Sequence, residues 1–263
     1  MNILNAALNY LVIFQPFPFF LKGVSGIAWC SNISRGVALI CIIICLFRLP
    51  LQLDFHKMRP KSLLKIKEIL RVGLPGGISS LSYNVSQTVT TSVIALVGVS
   101  AISTKIYVSN LVFYVYVLGL SLGMSTSLLI GWLCGAKKYD QAYKLNLQNL
   151  KVTILLNATL SILLFLFGRP LLSLFWDIFV EIFRGFNHIE ENSLRGAGDV
   201  VFPMIVSICS CWAMSVLFSY ILGVKLGLGL TGCWIAFAMD EAFRGINYFF
   251  RWKSKKWMKK TVV

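Results

Sequence analysis

The chain has 263 residues, 57% hydrophobic and only 13% charged, with a mean hydropathy of +0.76. Soluble domains run about 45–50% apolar and about 25% charged, so a soluble globular protein is excluded and an all-α polytopic integral membrane protein is expected. The net charge of +15 collects at the ends of apolar runs, with no RNA- or DNA-binding motif beside it, so the partner it implies is the lipid bilayer and not a nucleic acid.

A membrane-crossing helix needs about 20 mostly apolar residues. Eight candidates follow in order, at 2–20, 24–47, 73–98, 106–133, 151–167, 169–188, 200–222 and 228–250. The first is interrupted by Pro16 and Pro18 and has no signal-cleavage site after it, so it is expected to be retained. The second carries Arg35 near its middle. The stretch after it is basic, and Leu63, Leu64, Ile66, Ile69 and Leu70 alternate with lysines there as in an interfacial amphipathic helix.

Gly73-Leu74-Pro75 opens the third segment, where a proline is tolerated because the first N–H groups of a helix lack partners. Ser79, Ser82, Tyr83, Asn84 and Gln87 follow. Such residues line a water-filled cavity or support tight helix packing, and both readings stay open. The fourth segment holds Tyr107, Phe113, Tyr114 and Tyr116, for which packing is the simpler reading. The sixth is a poor span because Asp177, Glu181 and Arg184 interrupt it.

The eighth carries Asp240, Glu241 and Arg244. Spacings of four and three put both carboxylates on the face of the arginine. Ionisable groups inside a membrane mark internal pairs or ion pathways, and self-neutralisation is the simpler of the two here. The seven cysteines lack metal-site spacing, and most sit in apolar runs as small hydrophobes.

Gly23-Val-Ser-Gly26 leads to Arg35-Gly36, and Gly229-Leu-Thr-Gly232 leads to Arg244-Gly245. This faint internal copy suggests the end of one repeat followed by a whole second one. Lys and Arg collect after the second, fourth and eighth segments. The positive-inside rule then places both termini in the cytoplasm of a multi-pass protein of the cell membrane.

Gly73-Leu74-Pro75, Ser121-x-Gly123, Gly131-Trp-Leu-Cys-Gly135-Ala136, then Leu194-Arg195-Gly196-Ala197-Gly198-Asp199 with Pro203, and finally Gly229-x-x-Gly232, occur in an order that resembles the multidrug and toxic compound extrusion (MATE) transporters. The resemblance implies a helical bundle of twelve helices in two lobes, of which this chain would hold about seven or eight. Residues 1–48 would be the last two helices of a first lobe, 49–72 a basic cytoplasmic linker, 73–250 a second lobe, and 251–263 a basic cytoplasmic tail. The fourth helix of that lobe looks shortened near 175–195, with a thin, tilted or re-entrant crossing expected.

Asn5 and Asn9 stand where one branch has an asparagine and an acid in its proton or sodium site, so they are the candidate cation site, with the acid replaced. Arg184 lies near the helix-ten acid of another branch. The resemblance further implies efflux of amphiphilic, often cationic, organic compounds against H+ or Na+, with no cofactor and no catalytic residue. The expectation is a fragment with impaired activity alone. The alternative is an inert or partner-dependent subunit that pairs with a separate N-terminal half. A membrane enzyme is disfavoured, since no surface cluster of Asp or His is present.

Overall fold

The computed structural model describes residues 1–14, 23–48, 61–167 and 172–259, and every described regular element is a helix. Pro16, Pro18, Lys22, His56, Lys57, Arg59, Arg169 and Lys260 lie outside the described residues. The chain forms two compact units, Met1–Leu63 and Leu64–Val263. Their boundary falls inside the stretch expected to be a linker, in the first turn of a helix.

The first unit pairs α1 (Asn2–Phe14) with α2 (Gly23–Arg48). Val12 and Cys30 are buried, and the Asn5 amide donates to Ser31 Oγ at 3.3 Å. Most apolar side chains of α2, including Ile40, Ile42 and Phe47, are exposed. That is the surface expected of a helix that meets lipid and not water.

The second unit runs α3 (Lys61–Val97), α4 (Val99–Gly135), α5 (Tyr139–Phe167), α6 (Leu172–Gly196), α7 (Val201–Ser210, continued as a π-helix over Cys211–Lys225) and α8 (Gly229–Lys253). α6 sits at its centre, packed against α4, α5 and α8. Successive helices alternate in direction, so one end collects the α4–α5 and α6–α7 junctions and the end of α8. Lys137, Lys138 and Lys253 stand there. The opposite end holds the α3–α4 and α7–α8 junctions.

Small residues set the closest approaches. On α4, Val108, Val112, Val115, Gly119, Gly123, Thr126 and Ile130 recur every three or four residues as one buried stripe. A methyl group on Gly123 would stand 3.1 Å from the His188 carbonyl oxygen, and one on Gly196 would lie 2.9 Å from Ser127 Cα. Glycines therefore let α4 and α6 meet backbone to backbone, the small-residue packing common in lipid. Gly232 does the same for α8 against Leu222 and Gly223.

Two cores flank the middle. One gathers Ile94, Val108, Val112, Val180, Trp234 and Phe237. The other gathers Ile130, Leu194, Tyr248, Trp252 and Trp257.

Two expectations need correction. The sixth segment is not re-entrant, because α6 is a continuous helix of 25 residues. At 1.5 Å per residue it covers about 37 Å, enough for a hydrocarbon core of about 30 Å. The Leu194-Arg195-Gly196 motif forms its last turn and does not follow a break.

Gly73-Leu74-Pro75 does not open a helix either. α3 begins at Lys61 and carries Pro75 in its interior. The basic amphipathic stretch and the polar segment are one helix with no capping signal between them, and Ile66, Ile69 and Leu70 are exposed on its first turns. The tail is anchored: Trp257 is fully buried, its ring stacks on Trp252 at 4.1 Å, and its indole N–H donates to the Trp252 carbonyl at 3.0 Å.

Among the described residues, four helical stretches are both long and apolar enough to cross a membrane: Ser25–Arg48, Val99–Gly135, Tyr139–Leu166 and Val201–Lys225. α3, α6 and α8 have the length but carry polar residues, and many of those face inward. α1 has 13 described residues.

Candidate transport chamber and charge cluster

α6 carries Asp177, Glu181, Arg184, His188, Glu191 and Arg195 at steps of four, three, four, three and four. At 3.6 residues per turn this spacing holds all six on one face. Ionisable groups in a membrane protein are tolerated when they pair or face an internal cavity, and this row does both.

Four of the six, with Ser79, Tyr83 and Asn84 of α3 and Tyr116 of α4, line a cavity of about 430 Å³. Glu241 and Arg244 of α8 close its inner end. Its α6 residues, Arg184 to Arg195, occupy the half of that helix nearer the lysine-rich end. Two smaller cavities lie toward the other end. One of about 190 Å³ is lined by Ser109, Phe113, Asp177 and Trp234, and one of about 60 Å³ by Gln87, Lys105 and Phe237. Tyr83 and Arg184 border all three.

The partition is an ion-pair network. Arg184 bonds Glu181 on its own helix and reaches Glu241 of α8 at 3.4 Å. Arg244 holds Asp240 at 2.8 Å and Glu241 at 3.0 Å. Asn187 donates to the other oxygen of Glu241 at 2.7 Å, and the Ser210 hydroxyl to Asp240 Oδ1 at 2.6 Å. Aromatic faces complete it, with the Arg244 guanidinium 5.6 Å from the Tyr83 ring centre and Arg184 5.7 Å from that of Tyr116. A desolvated cation over an aromatic face gains about 2 kcal/mol. Removing one partner of a buried pair costs about 3–5 kcal/mol, so the network is strongly self-enforcing.

The structure sorts the sequence candidates as follows. Ser79, Tyr83 and Asn84 line the large chamber, and Gln87 lines the smallest cavity. Ser82 points elsewhere, accepting from the Trp212 indole at 3.0 Å. Asp240, Glu241 and Arg244 pair on one face of α8, and Arg184 ties them to α6. Of the fourth-segment aromatics, Tyr107 and Tyr114 are exposed on the outer surface, and Tyr116 faces the chamber.

In the first unit the Asn9 amide donates to Asn5 Oδ1 at 3.0 Å. Arg35 is exposed, with no ion pair among the described residues. Among the family-motif residues, Gly198 adopts φ 88° where the chain turns after α6. Asp199 accepts from Arg251 at 2.7 Å, and the Pro203 carbonyl accepts from the Tyr248 hydroxyl at 2.9 Å. Gly23 and Gly229 open α2 and α8 with φ of 62° and 59°, a left-handed conformation that suits glycine at equivalent points of the internal copy.

The MatE family profile matches residues 75–178. An uncharacterized transporter, YisQ, of Bacillus subtilis is 35% identical over 99% of this chain and 61% of its own length. A probable multidrug resistance protein NorM of Thermotoga maritima is 28% identical over 100% of this chain and 60% of its own. Residues 75–178 carry a MATE family domain.

A solved structure of a multidrug resistance MATE transporter in an outward-facing conformation matches with a TM-score of 0.84 at 22% identity, over 98% of this chain and 61% of that one. The likeness establishes the MATE fold. The chain spans about three fifths of the length of the relatives it matches. Among the functional residues, the α6 row escapes a hydropathy reading, because hydropathy counts each charge as a penalty. The 4-3-4-3-4 spacing is the signal that reveals it.

Proposed function

We propose that this MATE-family chain forms a secondary active efflux unit. Its chamber would bind amphiphilic organic compounds, and their export would be driven by inward movement of H+ or Na+. The observation that carries this reading is the chamber itself: about 430 Å³ of mixed tyrosine, amide and ion-paired lining inside a bundle whose outside is apolar. A volume of about 300–1,000 Å³ with a few placed polar groups suits a drug-sized ligand. The names of the relatives support multidrug efflux. The lysine-rich helix ends support a cytoplasmic location for that end and for both termini, in the cell membrane.

A second reading has its own support. Arg35 is exposed on an apolar helix that is long enough to span, and the buried Asn9 Oδ1 has no hydrogen-bond partner among the described residues. Intramembrane charge usually faces a protein partner. A separate N-terminal half would supply one, and the chain would then transport only as part of that pair.

Ethidium efflux from cells separates the readings. Export by the chain alone, collapsing when the proton or sodium gradient is dissipated, supports the first. Export that appears only when the first six-helix lobe of a MATE relative is co-expressed supports the second. No gradient-dependent export in either case would contradict both.

A further inference from the structure

Among the described residues, two carboxylates line the chamber of about 430 Å³, those of Glu191 and Glu241. Neither is free. Glu241 is held by Arg184, Arg244 and the Asn187 amide, and Glu191 by Arg195 at 2.6 Å. Asp177, the carboxyl of α6 without a partner, lines the cavity of about 190 Å³ beyond the partition and not the chamber. A cationic ligand in the chamber therefore meets no unengaged anion. Hydrogen-bond capacity runs the other way. The guanidinium groups of Arg184, Arg195 and Arg244 all line the wall. Each carries several N–H donors, and the ion pairs use only some of them.

Of the three, Arg195 has the most capacity left. Arg184 serves carboxylates on two helices, and Arg244 is 5% exposed and packed on the Tyr83 ring. Arg195 has one ion-pair partner among the described residues, Glu191 one turn back on its own helix, and its side chain is 29% exposed. An i,i+4 pair that is partly open to solvent is weak. Arg184 shows in the same bundle that one guanidinium can serve two carboxylates. Across from Arg195, α3 presents Gly76 and no side chain, with Arg195 Nη1 standing 3.8 Å from where a Cβ would be.

The surroundings give a bound acid its direction. Arg195 stands in the last turn of α6, at the end where Lys137, Lys138 and Lys253 collect, and basic charge there draws in anions. Two turns deeper, about 10 Å along the helix, the His188 ring packs on Tyr116 with centres 5.5 Å apart. Leu120 and Met124 add apolar wall. An acid at Arg195 leaves the ligand's rings within reach of this apolar and aromatic stretch.

We infer that Arg195 is a carboxylate-recognition residue, and that the chamber selects amphiphiles that carry a carboxylate over the same ring systems without one. The ligand carboxylate accepts from the guanidinium N–H groups that Glu191 leaves unused, and the rings lie inward against Tyr116. A ligand that lacks the acid binds through its rings alone. The inference rests on the reading of the chamber as a ligand site and names the class of compound that fits it best.

The test is equilibrium binding of rhodamine B and of rhodamine B ethyl ester to the full chain in phosphatidylcholine bilayers. The two dyes share a ring system and a positive charge and differ in the free carboxylate. The acid should bind about tenfold more tightly than the ester. Arg195→Gln should erase that preference or reverse it, because it leaves Glu191 as a free carboxylate in the chamber. Glu191→Gln should widen it, because it releases the guanidinium. Each readout is a ratio of affinities, so partial loss of folded protein leaves it unchanged, and an arginine that only braces the helices moves neither ratio. Equal affinities in the unsubstituted chain, or a preference that neither substitution moves, would overturn the inference and leave the chamber as a ligand site. Saturable binding of neither dye would reject the chamber reading itself, and the inference with it.

Discussion

Arg184 Nε stands 3.4 Å from Glu241 Oε1, and this single contact joins the charged row of α6 to the charged triplet of α8. Glu241 also holds Arg244 and Asn187, so it is the hub of the network. Glu241→Gln should lower stability by about 3–5 kcal/mol, because the buried Arg244 and the partly buried Arg184 both lose a charged partner. Asp240→Asn strands only one and should cost less. Thermal unfolding of the purified chain in detergent measures both. Equal losses, or none, would remove Glu241 from the centre of the network.

Glycine substitutions should divide by geometry. Gly196→Ala drives a methyl group into the Ser127 backbone of α4, whereas Gly77 has nothing within 4 Å. The first should destabilise by about 1–3 kcal/mol through overpacking. Gly77→Ala, in the interior of α3, should be neutral or stabilise by about 0.5–1 kcal/mol. Their melting temperatures should therefore move in opposite directions or differ clearly.

The stacked Trp252 and Trp257 close the lysine-rich end. Trp257→Ala should cost about 3–5 kcal/mol, the loss typical of a buried large aromatic, and should expose the segment after Lys253 to protease. An uncut tail at unchanged stability would contradict this packing.

Orientation is testable at positions the fold leaves open. Cys134 is buried and so would resist a thiol reagent from either side. Lys137 is exposed at the α4–α5 junction and Val99 at the α3–α4 junction. In a chain without its native cysteines, Lys137→Cys should be protected from an impermeant reagent in intact cells and Val99→Cys should react. The reverse pattern would invert the topology.

Much of this architecture is legible residue by residue. Composition and run length point to a helical membrane protein, and the i,i+4 spacing of Asp240 and Arg244 anticipates their 2.8 Å pair. The glycines at 23 and 229 mark the internal copy, and their matching backbone angles accord with it. Legibility fails where local and tertiary signals compete. Asp177, Glu181 and Arg184 make α6 look like a poor span, yet it packs at the centre, with Asp177 and Arg184 facing cavities and Glu181 paired to Arg184. Pro75 reads as a helix start because Gly73 and Pro75 look like a break after the amphipathic stretch, and nothing local reveals that the two stretches are one helix. The Arg184–Glu241 link joins residues 57 positions apart, and no spacing rule reaches that far.

The chamber's role as a ligand site is most directly tested by equilibrium binding of ethidium to the purified full chain in lipid bilayers. Saturable binding is expected, weakened by Asn84→Leu and Tyr116→Ala in the chamber wall and unaffected by Leu128→Ala on the exposed side of α4. Absence of saturable binding, or binding indifferent to both wall substitutions, would contradict it.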